Sequence, residues 1–219
     1  MNDMHSQENR ALRQLWGLEA PTVRGPKPRW TLDQVTAAAV ALADDAGLDG
    51  VSLARVAERL DVTTTALYRY VDSKTALVEL MVDAAVGDPP QLTDEDWRQR
   101  CRAWTDRLAD RYAAHPWLSD VRPERMPCQP RVYAWIDALV GALDAGPVAD
   151  PLRLALLLDS LVRSYMALAR NLNDSPPPAW LGEALATRFP RLTRAGDQDA
   201  ADARSELDFA VDAVLRGFA

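Results

Sequence analysis

Apolar side chains recur every three or four residues along most of the chain, and no stretch alternates apolar and polar residues as a half-buried strand does. The first clear helix starts at Thr31, which forms a capping-box pattern with Gln34, and it stops before Gly47. The second is capped by Ser52 and places apolar residues at helical positions Leu53, Val56, Ala57 and Leu60. The pattern therefore predicts an all-α fold.

A three-residue turn at 61–63 separates this second helix from a third at about 64–71. The third helix has one apolar face, made of Ala66, Leu67 and Val71, which we expect to be buried. Its opposite face carries Thr64, Thr65, Tyr68 and Arg69. Two helices joined by so short a turn predict a helix-turn-helix, whose second helix can enter the major groove of DNA. A fourth helix is expected at 73–86.

The rest of the chain predicts a second, larger helical domain over residues 93–219. Its helices are expected at 93–114, 116–121, 131–145, 150–172, 179–188 and 199–217. Thr93 is the expected cap of the first of them. Residues 24–86 are assigned to the helix-turn-helix domain and residues 1–23 to a flexible tail.

The net charge of −7 weighs against nucleic-acid binding, but its distribution reduces the objection. Residues 21–74 carry seven basic and seven acidic side chains, whereas residues 75–219 carry 16 basic and 22 acidic ones. Charges farther away than a Debye length, ~8–10 Å in physiological salt, hardly repel a phosphate. The acidity is therefore compatible with DNA binding by the N-terminal domain.

Further features of the sequence limit the class of protein to which the chain can belong. No apolar run approaches the ~20 residues of a membrane span, and the first twenty residues lack a secretory apolar segment. Cys101 and Cys128 lack metal-site spacing and are expected to be inert, unless one of them is a redox switch. No nucleophile with a base, paired carboxylates or metal cluster is evident. We therefore expect a cytoplasmic protein with no membrane partner, metal, cofactor or catalytic residue.

Polar and basic residues around the helix-turn-helix are candidate DNA contacts. Threonine suits a thymine methyl or a base edge, and Tyr68 suits a phosphate or a base, although Tyr68 and Tyr70 could instead pack between helices. Lys74 lies in a first helical turn, which disfavours a cation unless a phosphate binds there; the alternative is a solvated lysine. The arm at 24–29 contains no acidic residue, which suits binding to the DNA backbone or in the minor groove. The alternative is that it only makes the chain more soluble. The predicted DNA-binding set is Arg24, Lys27, Arg29, Thr31, Ser52, Arg55, Thr63, Thr64, Thr65, Tyr68, Tyr70 and Lys74.

The stretch 29–86 closely resembles the DNA-binding domain of the TetR family of bacterial transcriptional regulators. The resemblance rests on the order and spacing of residues 47–60 and of the Ala-Leu-Tyr-Arg-Tyr-Val-Asp-Ser-Lys run at 66–74. Asp61 stands where that family commonly has glycine, so we expect either an altered turn or a left-handed conformation there. The C-terminal part is more loosely similar to the tetracycline-repressor subgroup, through His115-Pro-Trp and the closing segment 207–218.

The resemblance implies a homodimer joined through helices near 150–172 and 199–217, and a small-molecule pocket among the preceding helices. Two histidines in the whole chain argue against a magnesium–tetracycline site. Arg163 could instead pair with acids of the partner subunit, and many aromatic residues at helical spacing are ordinary core. The predicted pocket residues are Trp104, Leu108, Tyr112, Trp117, Arg122, Met126, Trp135, Leu139, Arg163, Met166, Arg170 and Asn171.

These observations predict a ligand-responsive repressor that binds a palindromic DNA operator as a homodimer. A small apolar or amphipathic molecule would release it. The alternative hypothesis is a helical protein of the same family that dimerises and binds a protein partner without recognising DNA. The neutral N-terminal charge favours this alternative slightly, as does Ala54, which leaves the second helix without an obvious arginine to contact a base. A helical enzyme using the same pocket has no candidate catalytic residues to support it.

Overall fold

The computed structural model describes residues 10–19, 29–122, 126–173, 177–195 and 202–218, and their side chains except those of 171–173 and 194–195. Every regular element in these ranges is a helix, which confirms the all-α prediction. The α-helices are α1 (Arg10–Leu15), α2 (Leu32–Ala46), α3 (Leu53–Arg59), α4 (Thr64–Leu67), α5 (Lys74–Val86), α6 (Trp97–Ala114), α7 (Pro130–Asp144), α8 (Pro151–Asn173), α9 (Leu181–Arg188), α10 (Pro190–Ala195) and α11 (Ala203–Arg216). Two 3₁₀ helices, Leu48–Gly50 and Pro116–Asp120, follow α2 and α6. None of these helices has the length and hydropathy that crossing a membrane requires.

Side-chain caps set the starts of the N-terminal helices. Thr31 Oγ1 accepts a hydrogen bond from Gln34 N at 3.2 Å, and the Gln34 carboxamide accepts one from Thr31 N at 2.9 Å. The predicted capping box is therefore formed. Ser52 and Ser73 cap α3 and α5 by accepting from the backbone N–H three residues later. Each such cap stabilises its helix by about 1 kcal/mol.

Helix α1 lies inside the segment that the sequence assigns to a flexible tail. Ala11 and Leu12 are buried, and α1 packs against α5. The tail prediction is therefore wrong for residues 10–15. Two buried apolar residues in a six-residue helix are too few to produce a recognisable helical period.

Other boundaries also differ from the sequence-based expectations, including the start of α11, which is capped by Asp202 and begins at Ala203 instead of 199. Helix α6 begins at Trp97, because Asp96 rather than Thr93 supplies its cap. Helix α4 ends at Leu67 instead of continuing to residue 71, since residues 68–70 form turns. Helix α10 occupies part of a segment expected to be a loop.

Buried tryptophans join the C-terminal end of α5 to α6 and α7. Trp104 Nε1 donates a hydrogen bond to Trp135 O at 2.8 Å, and Trp135 Nε1 donates one to Gly87 O at 2.9 Å. The two rings lie edge to face with centroids 5.5 Å apart. Because both indole N–H groups have partners, these large side chains can be fully buried without a desolvation penalty.

Two acidic side chains connect the N-terminal helices with the C-terminal ones. Asp44 of α2 accepts a hydrogen bond from Trp117 Nε1 at 2.7 Å and lies 2.8 Å from His115 Nδ1. Asp83 of α5, which is buried, accepts two hydrogen bonds from Arg131 of α7, one from its backbone N–H and one from its guanidinium, both at 2.9 Å. Such charged and backbone donors offset the cost of removing a carboxylate from water.

Candidate nucleic-acid interface and adjoining cavity

The turn between α3 and α4 depends on the backbone conformation of Asp61. Its φ is 54°, the only positive value among the described non-glycine residues. The turn is closed by Val62 N, which donates to Ala57 O at 3.0 Å. Of the two alternatives for Asp61, an altered turn or a left-handed conformation, the structure has the left-handed one, which aspartate tolerates better than most residues.

Helix α4 and the turn after it separate a buried side from an exposed one, as the sequence predicts, except that Ala66 is only half-buried. Leu67 and Val71 are fully buried. Thr64 and Thr65 are exposed, and half of the Tyr68 side chain is exposed (50%). The outward face therefore presents two hydroxyl groups, two methyl groups and a phenol, a combination that suits the base edges and phosphates of a major groove.

Tyr70 takes the packing role that the sequence left open for it. Its side chain is half-buried against the core, and its hydroxyl oxygen accepts a hydrogen bond from Trp30 N at 3.4 Å. Tyr70 thus positions the start of the helix-turn-helix, while Tyr68 faces outward.

The remaining predicted DNA contacts lie around α4 but already have intramolecular partners or other roles. Arg55, which is exposed, donates to Gly50 O, and Arg29 pairs with Asp61 at 3.4 Å between Nη2 and Oδ2. Thr31, Ser52 and Thr63 accept from backbone N–H groups as helix caps, and each hydroxyl keeps its own hydrogen to donate. Arg24 and Lys27 lie outside the described residues.

Lys74 is exposed in the first turn of α5, and that turn contains no acidic residue. It follows the cap Ser73 directly, so the segment that carries α4 also carries this ammonium group. An exposed cation at a helix N-terminus, beside α4, suits a phosphate ligand.

A cavity of about 420 Å³ adjoins this region, between residues 74–82 of α5, residues 120–122 and 126–129, α7 and α8. Its apolar wall contains Leu48, Val78, Val82, Val121, Met126 and Val132. Its charged wall contains Lys74, Glu79, Asp120, Arg122 and Arg163. Three residues of the predicted pocket, Arg122, Met126 and Arg163, therefore line it.

Six other predicted pocket residues are buried in the core and are not part of this wall: Trp104, Leu108, Tyr112, Trp117, Trp135 and Leu139. Met166 is half-buried against the core, and Arg170 pairs with Asp120 at 2.8 Å. The side chain of Asn171 lies outside the described residues. Sequence reasoning missed Val78 and Val82, whose four-residue spacing on α5 was the available signal.

The arginine that interrupts the apolar residues of α8 is held within the subunit. Arg163 Nε lies 2.7 Å from Asp159 Oδ2, and its guanidinium is 5.9 Å from the ring centroid of Tyr112. Burial raises the pKa of the Tyr112 hydroxyl, so this phenol stays protonated at neutral pH.

Comparisons with known proteins agree with this architecture. The family model described as bacterial regulatory proteins of the tetR family matches residues 35–81. The HTH-type transcriptional repressor DrrR1 of Streptomyces coeruleorubidus is 37% identical over 145 residues, 65% of this chain. The chain spans only about half of that relative's length (54%). An HTH-type transcriptional regulator of Saccharopolyspora erythraea is 27% identical over 203 residues, covering 88% of this chain and 86% of that protein.

The likeness of fold extends through the C-terminal helices. The crystal structure of the Streptomyces coelicolor TetR family protein ActR in complex with (S)-DNPA superposes with a TM-score of 0.72 at 22% identity, covering 91% of this chain and 98% of ActR. The N-terminal domain is thus one of the tetR family of bacterial regulatory proteins, and the chain as a whole is similar to transcriptional regulators in sequence and to ActR in fold.

Proposed function

We propose that this protein is a ligand-responsive transcriptional repressor that binds a palindromic DNA operator as a homodimer. The observation that carries the proposal is the exposure of Thr64 and Thr65 on α4 and of Tyr68 directly after it, while Leu67 and Val71 on the opposite side are buried. The names of both curated relatives, a transcriptional repressor and a transcriptional regulator, support it.

In this proposal α4 lies in the major groove. Thr64 and Thr65 contact base edges or thymine methyl groups, Tyr68 contacts a base or a phosphate, and Lys74 contacts the adjoining phosphate. Each phosphate contact releases counterions, so binding weakens as the salt concentration rises.

Exposed apolar side chains on α8 and α11 support the homodimer. These two helices pack against each other, and they expose Leu152, Leu156, Leu157, Leu168 and Phe209. Apolar patches of this kind on a folded subunit mark interaction surfaces. Two copies of the pair would bury the patch in a four-helix bundle and place two α4 helices about one DNA turn, ~34–36 Å, apart.

The effector is proposed to occupy the cavity beside α5. ActR, the structural neighbour, forms a complex with a small molecule, which supports a ligand for this fold. A molecule between α5 and the C-terminal helices would change the position of α5 and, with it, of α4. Couplings of ~1–3 kcal/mol between two sites are typical and would suffice to alter operator occupancy.

The direct test is selection of bound fragments from random duplex DNA by the purified protein, followed by mobility shifts at several salt concentrations. We expect a palindromic sequence whose affinity falls steeply with salt. The double variant Thr64→Ala/Thr65→Ala should lose preference for that sequence while keeping its helical circular dichroism. If the wild-type protein ignores all duplexes at low salt but still dimerises, the alternative of a protein-binding homologue takes the place of this function.

A further inference from the structure

The cavity beside α5 has the size and the two-sided character of a site for an amphipathic molecule. Its volume of about 420 Å³ lies within the ~300–1,000 Å³ range of small-molecule pockets. One part of the wall is aliphatic, formed by Val78, Val82 and Val132 among others. The charged residues of the wall determine which polar group such a molecule would carry.

The acids of the wall are engaged, while two of its cations are not. Asp120 pairs with Arg170 at 2.8 Å, and Glu79 also makes an interaction of its own. Of the three cations, Arg163 pairs with Asp159 at 2.7 Å. Within the described part of the chain, Lys74 and Arg122 form no ion pair. The cavity therefore offers an ammonium and a guanidinium to a ligand, and both form charge-assisted hydrogen bonds to anions.

Lys74 belongs to two surfaces at once. It lines the cavity, and it is exposed at the start of α5 directly after the α4 segment. The proposed function assigns its ammonium to a DNA phosphate. An anion bound in the cavity would attract the same group.

We propose that the cavity binds an amphipathic organic anion whose acidic group lies with Lys74 and Arg122, and that this anion competes with a DNA phosphate for the Lys74 ammonium. The competition rests on the proposed DNA-binding function, whereas the anion preference of the cavity does not. The apolar part of the ligand lies against the aliphatic wall.

Two fluorescent probes with one scaffold test the anion preference without DNA. The anion 1-anilinonaphthalene-8-sulfonate and its neutral counterpart N-phenyl-1-naphthylamine are titrated into the wild type, Lys74→Gln, Arg122→Gln and the control Arg107→Gln, which changes an exposed residue of α6 outside the cavity wall. We expect both cavity variants to bind the sulfonate about tenfold more weakly, as loss of one charge-assisted contact implies. The neutral probe should bind all four proteins equally, and the control should match the wild type. Equal affinity of the cavity variants and the wild type for the sulfonate overturns the anion site.

The competition is then measured on the selected operator. In the wild type, the sulfonate should lower DNA affinity several-fold. In Lys74→Gln, DNA binding should be weaker, with a salt slope reduced by about one, and the sulfonate should lower it no further. A sulfonate effect of full size in Lys74→Gln refutes the shared ammonium. Failure of the wild type to bind any duplex refutes the proposed function instead, and it leaves the probe titrations to decide on the anion site.

Discussion

Asp61 determines the angle at which α4 leaves α3, because its backbone is left-handed. A residue without a short polar side chain should adopt this conformation at a higher cost. We expect Asp61→Ala to lower the free energy of unfolding by about 1 kcal/mol and Asp61→Asn to change it by less than ~0.5 kcal/mol. Urea denaturation of both variants provides the measurement. Equal losses of free energy in the two variants would mean that the ion pair of Asp61 with Arg29, rather than the backbone conformation, stabilises the turn.

The two cysteines should differ in reactivity. Burial raises the pKa of the Cys101 thiol to about 12, whereas Cys128 is only partly buried. Because the thiolate is the reactive form, we expect one thiol per native chain to react with Ellman's reagent at pH 8. Cys128→Ser should abolish the reaction and Cys101→Ser should not. Rapid labelling of Cys101 in the native protein would contradict this expectation.

The raised pKa of Cys101 also affects stability. Because the same thiol ionises near pH 9.0 in the unfolded chain, the free energy of unfolding should fall as the pH rises from about 9 toward 12.

Sequence reasoning is most successful at single residues whose role is local. The caps Thr31 and Ser52 and the outward position of Tyr68 follow from hydrogen bonding and helical periodicity within a few residues. The place of Lys74 in the cavity wall could not be predicted in this way. It depends on how α5 packs against α7 and α8, which no local pattern encodes.

At the scale of the element, α1 joins regions that are far apart in sequence. Trp16, just after the helix, donates from Nε1 to Cys128 O at 2.8 Å, and Arg10 donates to Arg69 O at 2.7 Å. The same segment thus contacts the turn after α4 and the segment that borders the cavity. The sequence offers only two buried apolar residues as a signal for α1, which is why periodicity fails there.

Two leucines test whether α1 is docked in solution. Leu12 is 3% exposed and Leu18 is 66% exposed. We expect Leu12→Ala to lower the free energy of unfolding by roughly 2 kcal/mol, because it leaves a cavity against α5. Leu18→Ala should have an effect below ~0.5 kcal/mol. Chemical denaturation followed by circular dichroism gives both values, and indistinguishable values would show that α1 contributes nothing to the folded state.

At the scale of the whole molecule, the exposed apolar residues of α8 and α11 should control assembly. Leu156 is 48% exposed and Phe209 is 66% exposed. We expect Leu156→Glu/Phe209→Glu to yield monomers in size-exclusion chromatography with light scattering, and to weaken operator binding strongly, because buried unpaired carboxylates disfavour the dimer. Leu18→Glu, a charge at an equally exposed leucine elsewhere, should leave the mass of the assembly unchanged. A double variant that keeps the wild-type mass would place the interface elsewhere.

The pocket was the least predictable feature at this scale. The sequence indicates a wall made of aromatic residues on α6 and α7, but residues such as Trp104 and Trp135 pack into the core and hydrogen-bond to carbonyl groups there. The cavity instead lies where α5 meets segments at least 36 residues farther along the chain, such as those of Arg122 and Val132. Helical periodicity identifies which face is apolar, but it does not distinguish a face that meets another helix from one that borders a gap.

The two ends of α5 are held very differently. Its C-terminal end is fixed by Asp83 to Arg131, by Ala85 O to Arg111 and by Gly87 O to Trp135. Residues 74–82 border the cavity on one side and pack against α1 and α2 on the other. The helix is therefore anchored to the C-terminal helices near Asp83, and its first nine residues, about 14 Å long, form an arm that ends at Lys74. A tilt of about 10° would move that tip, and the α4 segment joined to it, by roughly 2 Å. A modest rearrangement of the cavity wall would thus displace α4 by a larger distance. In the proposed dimer, this would change the separation of the two α4 helices from the one that an operator requires.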